Sequence, residues 1–95
     1  MLSGKRRNAM EIAVSVLEEA RNGINKTRLV YRTNLNFLLI QRYVDFLVQK
    51  NMIEIINDPT PIYKTTQKGI SLLDEFSKIK NILGTNELAV AEVLG

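Results

Sequence analysis

Ninety-five residues with 45% hydrophobic and 24% charged side chains have the composition of one globular domain, whose modest core would gain from a partner subunit. The chain has no cysteine and no histidine, which excludes thiol nucleophiles, disulfides, imidazole acid–base chemistry and zinc sites of the finger or His-ligated type. The net charge of +3 is unevenly placed, with nine Lys/Arg against four Asp/Glu in residues 1–50 and four against six in residues 51–95, so the front half is the part suited to an anion.

Lys5, Arg6 and Arg7 make residues 1–7 a basic arm, read either as a phosphate contact or as a solubilising tail. From Asn8 to Asn22, Ala9, Met10, Ile12, Ala13, Val16, Leu17 and Ala20 fall on one side at helical period. Glu11, Ser15, Glu18 and Glu19 fall on the other. Gly23 follows as a stop. Asn25 suits the cap of a short second helix, Lys26 to Thr33, with Leu29 and Val30 turned inward. Thr33-Asn34-Leu35 reads as a tight connection, and Asn36 caps a third helix running to about Lys50. Two helices joined by so short a link form a helix-turn-helix.

The third helix has a wide apolar arc of Phe37, Leu39, Ile40, Tyr43, Val44, Phe46, Leu47 and Val48. A narrow strip of Leu38, Gln41, Arg42, Asp45 and Gln49 is left to face a groove. Met52 to Asn57 reads as a strand. Asp58-Pro59-Thr60-Pro61 breaks it, since proline donates no ladder bond, and Ile62 to Thr65 forms a second strand. Thr66 caps a fourth helix to about Leu83. In it Leu72, Phe76, Ile79 and Leu83 are spaced four, three and four apart, a candidate dimerisation seam. Gly84 stops or kinks that helix, and residues 85–95 are an apolar end. The division is therefore 1–7 basic arm, 8–66 helix-turn-helix with wing, and 67–95 dimerisation helix and tail.

In this context Lys26, Thr27, Arg28 and Arg32 are candidate phosphate contacts, because the first helix of such a unit crosses the phosphate backbone with its amino end directed at it. Gln41 and Arg42, with Asn36 and Leu38 beside them, are candidates for reading base edges, since Arg bridges guanine and Gln bridges adenine. The bland alternative is a solvated polar face. Asp45 repels phosphate one turn later. Among the aromatic residues Phe37, Tyr43 and Tyr63 are assigned to packing and Tyr31 is left outside it. The neighbouring carboxylates Glu18 and Glu19, or Asp74 and Glu75, diverge by about 100° on a helix and do not share a site. With no glycine-rich phosphate loop, nucleophile elbow or metal-spaced acidic cluster, no enzyme, cofactor or small-molecule ligand is expected. No stretch approaches the roughly 20 apolar residues of a membrane span, and Met1 to Met10 lacks the apolar core of a signal peptide. A cytoplasmic protein is expected.

The stretches EIAVSVLEEARNGINKTRLVYRTNLN and Tyr63-Lys64-Thr65-Thr66-Gln67-Lys68-Gly69, followed by Leu72-Leu73, resemble the archaeal small winged-helix proteins. Lys26-Thr27-Arg28, then an apolar pair and Tyr31, is similar to the second helix of the Sulfolobus-type ten-kilodalton chromatin proteins, which are grouped with archaeal winged-helix transcription regulators. The resemblance runs from about residue 5 to residue 80. It implies a mainly α fold with a small β-wing, double-stranded DNA binding with weak sequence preference in nucleoid architecture, and a homodimer through an antiparallel coiled coil. Two features depart from that pattern: the wing turn carries Asp58 and no cation, and Gly84 falls after only a few turns of the last helix. Sequence-specific repression is the alternative function, and a protein-interaction module without DNA binding is the second.

Overall fold

The computed structural model of the chain describes residues 8–57 and 59–82. In order these form α1 (Ala9–Glu19), α2 (Lys26–Thr33), α3 (Phe37–Gln49), β1 (Ile53–Asn57), β2 (Pro61–Thr65) and α4 (Gln67–Ile82). The expected basic arm, Asp58, Leu83, Gly84 and the apolar tail lie outside the described residues.

Each of the first three helices starts on an asparagine whose side-chain oxygen accepts an otherwise free amide of the first turn: Asn8 from Glu11, Asn25 from Arg28 and Asn36 from Leu39, each at 2.8 Å. At Asn8 the Glu11 carboxylate also accepts from the Asn8 backbone amide, which completes a capping box. The first helix ends at Glu19, three residues before the expected Asn22, because the chain turns through Ala20 to Gly23, where φ is +93°. Asn34 closes α2 in the left-handed conformation with φ 59°, a geometry that asparagine tolerates better than most residues.

β1 and β2 form an antiparallel hairpin running from Ile53 opposite Thr65 to Asn57 opposite Pro61. The expected break at Pro61 is corrected here: Pro61 is the first residue of β2 and pairs with Asn57, a strand-end position where a missing donor costs least. Ile24 adds a single bridge on the other edge of β2, exchanging backbone hydrogen bonds with Tyr63 at 2.9 and 2.8 Å. The base of the hairpin is tied further to α1. The Thr65 amide donates to the Ala20 carbonyl at 2.9 Å and its buried hydroxyl donates to the Leu17 carbonyl at 2.7 Å.

The core is formed by Ile12, Val16, Leu17 and Ala20 of the first helical segment, Leu29 of α2, Ile40, Val44 and Leu47 of α3, Ile53 and Tyr63 of the hairpin, and Leu73 of α4. Leu29 is fully buried and Val30 packs against it at the edge, as expected. The apolar arc of α3 is narrower than its sequence implied. Phe37 is 54% exposed and Phe46 51% exposed, because α3 meets its neighbours along one side only. Met10 and Ala9 likewise stay at the surface. α4 enters the core at Gly69 and Leu73, and Thr66 caps it by accepting the Gly69 amide at 3.2 Å. Gly69 is required by a close approach: a Cβ there would lie 2.5 Å from the Met52 carbonyl oxygen and from the Thr65 methyl.

Candidate nucleic-acid interface

α2 and α3 meet through the turn at Asn34-Leu35-Asn36, and the hairpin lies against the amino end of α2. Thr27 and Arg28 on α2, Asn36 at the start of α3, and Leu38 and Arg42 on α3 are exposed. Leu38 is 75% exposed and Tyr31, on the outer side of α2, is 83% exposed.

The cationic and amide candidates on these helices fall into two groups. Arg28 and Arg42 extend into solvent with no ion pair or side-chain hydrogen bond among the described residues. Lys26, Arg32 and Gln41 are engaged within the protein. Lys26 donates through Nζ to Oε1 of Gln41 and sits 5.2 Å from the centre of the Phe37 ring and 5.6 Å from that of Tyr63. Each such cation–π contact contributes about 0.5–1 kcal/mol at an accessible site. Gln41 in turn donates through Nε2 to Oδ1 of Asp45 at 2.8 Å. Arg32 pairs with Glu19 of α1 at 3.2 Å, which ties α2 to α1. Asn36 accepts the Leu39 amide, so its side-chain oxygen is occupied as a cap.

Sequence reasoning missed the contacts of Lys26 with Gln41 and of Arg32 with Glu19 because the partners lie far apart in the chain. Phe37, assigned to packing, is corrected: its exposed ring forms one wall of an open groove with Asn25, Lys26, Thr27, Thr60, Pro61 and Tyr63. Tyr63 is buried and Tyr43 half-buried, as assigned. Arg21, just beyond α1, is paired with Glu18. Its guanidinium hydrogen-bonds Glu18 at 2.6 Å, and that bond raises its pKa above the ordinary arginine value.

Further exposed apolar side chains lie on the hairpin and on α4. On the hairpin Ile55 and Ile56 are 45% and 41% exposed. In the proposed dimer seam Leu72 packs against the protein's own core and Phe76 is half-buried beneath Lys80, whereas Ile79 is 38% exposed. No cluster of acidic side chains among the described residues has the arrangement of a metal site, and no described helix is long and apolar enough to cross a membrane.

Three helices, the third with one face exposed beside the hairpin, and a hairpin returning to the first of them define a winged helix-turn-helix. The family model for the winged helix-turn-helix matches residues 6–84, and the chain belongs to that family. It is similar to Sso10a-2, described as a DNA-binding protein from Sulfolobus solfataricus, with 30% identity, a TM-score of 0.68, and coverage of 94% of this chain and 98% of that one. The resemblance expected from the Lys26-Thr27-Arg28 stretch therefore holds. Two further solved structures share the fold at lower identity. The BpsR protein of Bordetella bronchiseptica is 13% identical with a TM-score of 0.66, covering 99% of this chain and 76% of that one. RV1404 of Mycobacterium tuberculosis is 19% identical with a TM-score of 0.58, covering 90% and 65%. No curated protein sequence matches the chain. Fold and family are those of a binding protein and not of an enzyme.

Proposed function

We propose that this protein binds double-stranded DNA as a homodimer, with little sequence preference, in the organisation of a cytoplasmic nucleoid. The observation that carries the proposal is the pairing of the two unengaged cations, Arg28 and Arg42, with the exposed amino end of α3. α3 enters the major groove with Leu38 and Arg42 leading, and Arg28 and Thr27 hold phosphate where α2 crosses the backbone. The basic arm Lys5, Arg6 and Arg7 adds phosphate contacts, and Lys26 and Arg32 add their field while keeping their internal partners. The DNA binding stated for Sso10a-2 supports the reading.

Low specificity is favoured over repression by the state of the α3 strip. Gln41 is bonded at both polar ends and Asn36 is occupied as a cap, which leaves Arg42 as the main polar reader of base edges. Dimerisation rests on Ile79 and Phe76 of α4 together with Leu83. Fluorescence titration of the protein into labelled duplex DNA at low salt tests the proposal. Saturable binding to unrelated sequences with similar affinity is expected; no binding would overturn it and leave the protein-interaction alternative.

A further inference from the structure

Resting on the DNA-binding reading, we infer that Lys26 and Asp45 are specificity-determining residues that act by withholding Gln41 from the bases. Glutamine recognises adenine with both ends of its amide at once, the oxygen accepting from the N6 amino group and the nitrogen donating to N7. In this protein both ends already have charged partners. Oε1 accepts from the Lys26 ammonium and Nε2 donates to the Asp45 carboxylate at 2.8 Å. The assignment of oxygen and nitrogen follows from the chemistry: an ammonium only donates and a carboxylate only accepts, so one orientation alone satisfies both.

Lys26 is itself held. Its ammonium lies over Phe37 and Tyr63 at 5.2 and 5.6 Å, and Tyr63 is buried and bonded through its backbone to Ile24. Asp45 lies one turn beyond Gln41 on α3 and moves with it. Reading adenine would exchange two charge-assisted hydrogen bonds for two neutral ones, and charge-assisted bonds are roughly twice as strong. The exchange is unfavourable, so Gln41 contributes no base preference while this chain of contacts is intact. Three residues on two helices thereby convert a potential sequence reader into part of the scaffold.

Selection from a randomised duplex pool at low salt tests this, with the fraction of DNA retained and the sequence preference read from the same samples. The variant Lys26→Met with Asp45→Ala frees Gln41, and methionine keeps the apolar stem against the two rings. This double variant is expected to enrich adenine at one position by roughly 5- to 10-fold over the wild type, with Lys26→Met alone intermediate. Adding Gln41→Ala to the double variant is expected to abolish the gain. Retention of DNA by folded variants without new adenine preference would overturn the inference, as would a wild-type adenine preference that Gln41→Ala removes. Absence of DNA retention by the wild type would instead overturn the DNA-binding reading, and this inference with it.

Discussion

Thr65 joins the wing to the first helix, and replacing it with valine isolates one bond of that joint. The residue is 5% exposed, and its Oγ1 donates to the Leu17 carbonyl at 2.7 Å. Carbonyls in the last turn of a helix lack amide partners from the helix itself. At the end of α1 the Val16 and Glu18 carbonyls accept from Ala20 and Arg21, and the Leu17 carbonyl takes the Thr65 hydroxyl. Valine preserves the branched shape and removes the donor, so a buried carbonyl is left unpaired at a cost of about 1–3 kcal/mol. For a domain of this size each kcal/mol lowers the melting temperature by roughly 4–8 °C. A fall of about 10 °C is therefore expected in thermal unfolding followed by circular dichroism, at fixed protein concentration because a dimer's stability depends on it. Thr65→Ser keeps the hydroxyl and loses one methyl, worth about 0.8 kcal/mol, and should melt between the valine variant and the wild type. A valine variant as stable as the wild type, or more stable than the serine variant, would refute the assignment of this bond as the tie between wing and helix.

Two further substitutions test packing and assembly. Gly69→Ala places a methyl 2.5 Å from the Met52 carbonyl oxygen and the Thr65 methyl, so it should destabilise the fold by about 1–3 kcal/mol, despite alanine's better helix propensity; urea unfolding measures this, and an unchanged midpoint would count against the close approach. Ile79→Glu changes a residue that is 38% exposed in the single chain, so folding should survive while the proposed dimer dissociates at micromolar concentration in analytical ultracentrifugation; a wild type that is monomeric there would contradict the dimer, and a dimer unaffected by the change would move the interface away from α4.

What could be read from sequence was local. Asn25 and Asn36, read as caps from the sequence, accept amides three positions ahead, and a cap of that kind is visible in a short window. Asn8 caps α1 in the same way, where the sequence showed only the start of the helical period. The bounds of α2 and the order of elements followed from those caps together with the apolar periods. Exposure was less legible. A helix as apolar as α3 has several arcs that would serve as its buried side, and only the position of its neighbours leaves Phe37 and Phe46 outside. Engagement of the charged residues was not legible at all. The Lys26 to Gln41 contact spans 15 positions and the Thr65 to Leu17 bond spans 48, and the pairing of Arg32 with Glu19 requires knowing that α1 and α2 lie side by side. For that reason the candidates read from sequence as phosphate contacts (Lys26, Arg28 and Arg32) and base readers (Gln41 and Arg42) divide differently in the structure: Arg28 and Arg42 are directed at solvent, and Lys26, Arg32 and Gln41 are held within the fold.

The salt dependence of duplex DNA affinity tests that division most directly. Each phosphate neutralised contributes about −0.9 to the slope of log affinity against log salt. With Arg28 of both protomers on phosphate, this contact alone gives a slope of roughly −1.8, steeper as the basic arm joins, and affinity should fall by at least about 10-fold between 50 and 200 mM salt. Arg28→Ala removes one contact per protomer and should make the slope shallower by about 1.8. An Arg28→Ala protein that binds DNA with the wild-type affinity and the wild-type slope would contradict the account.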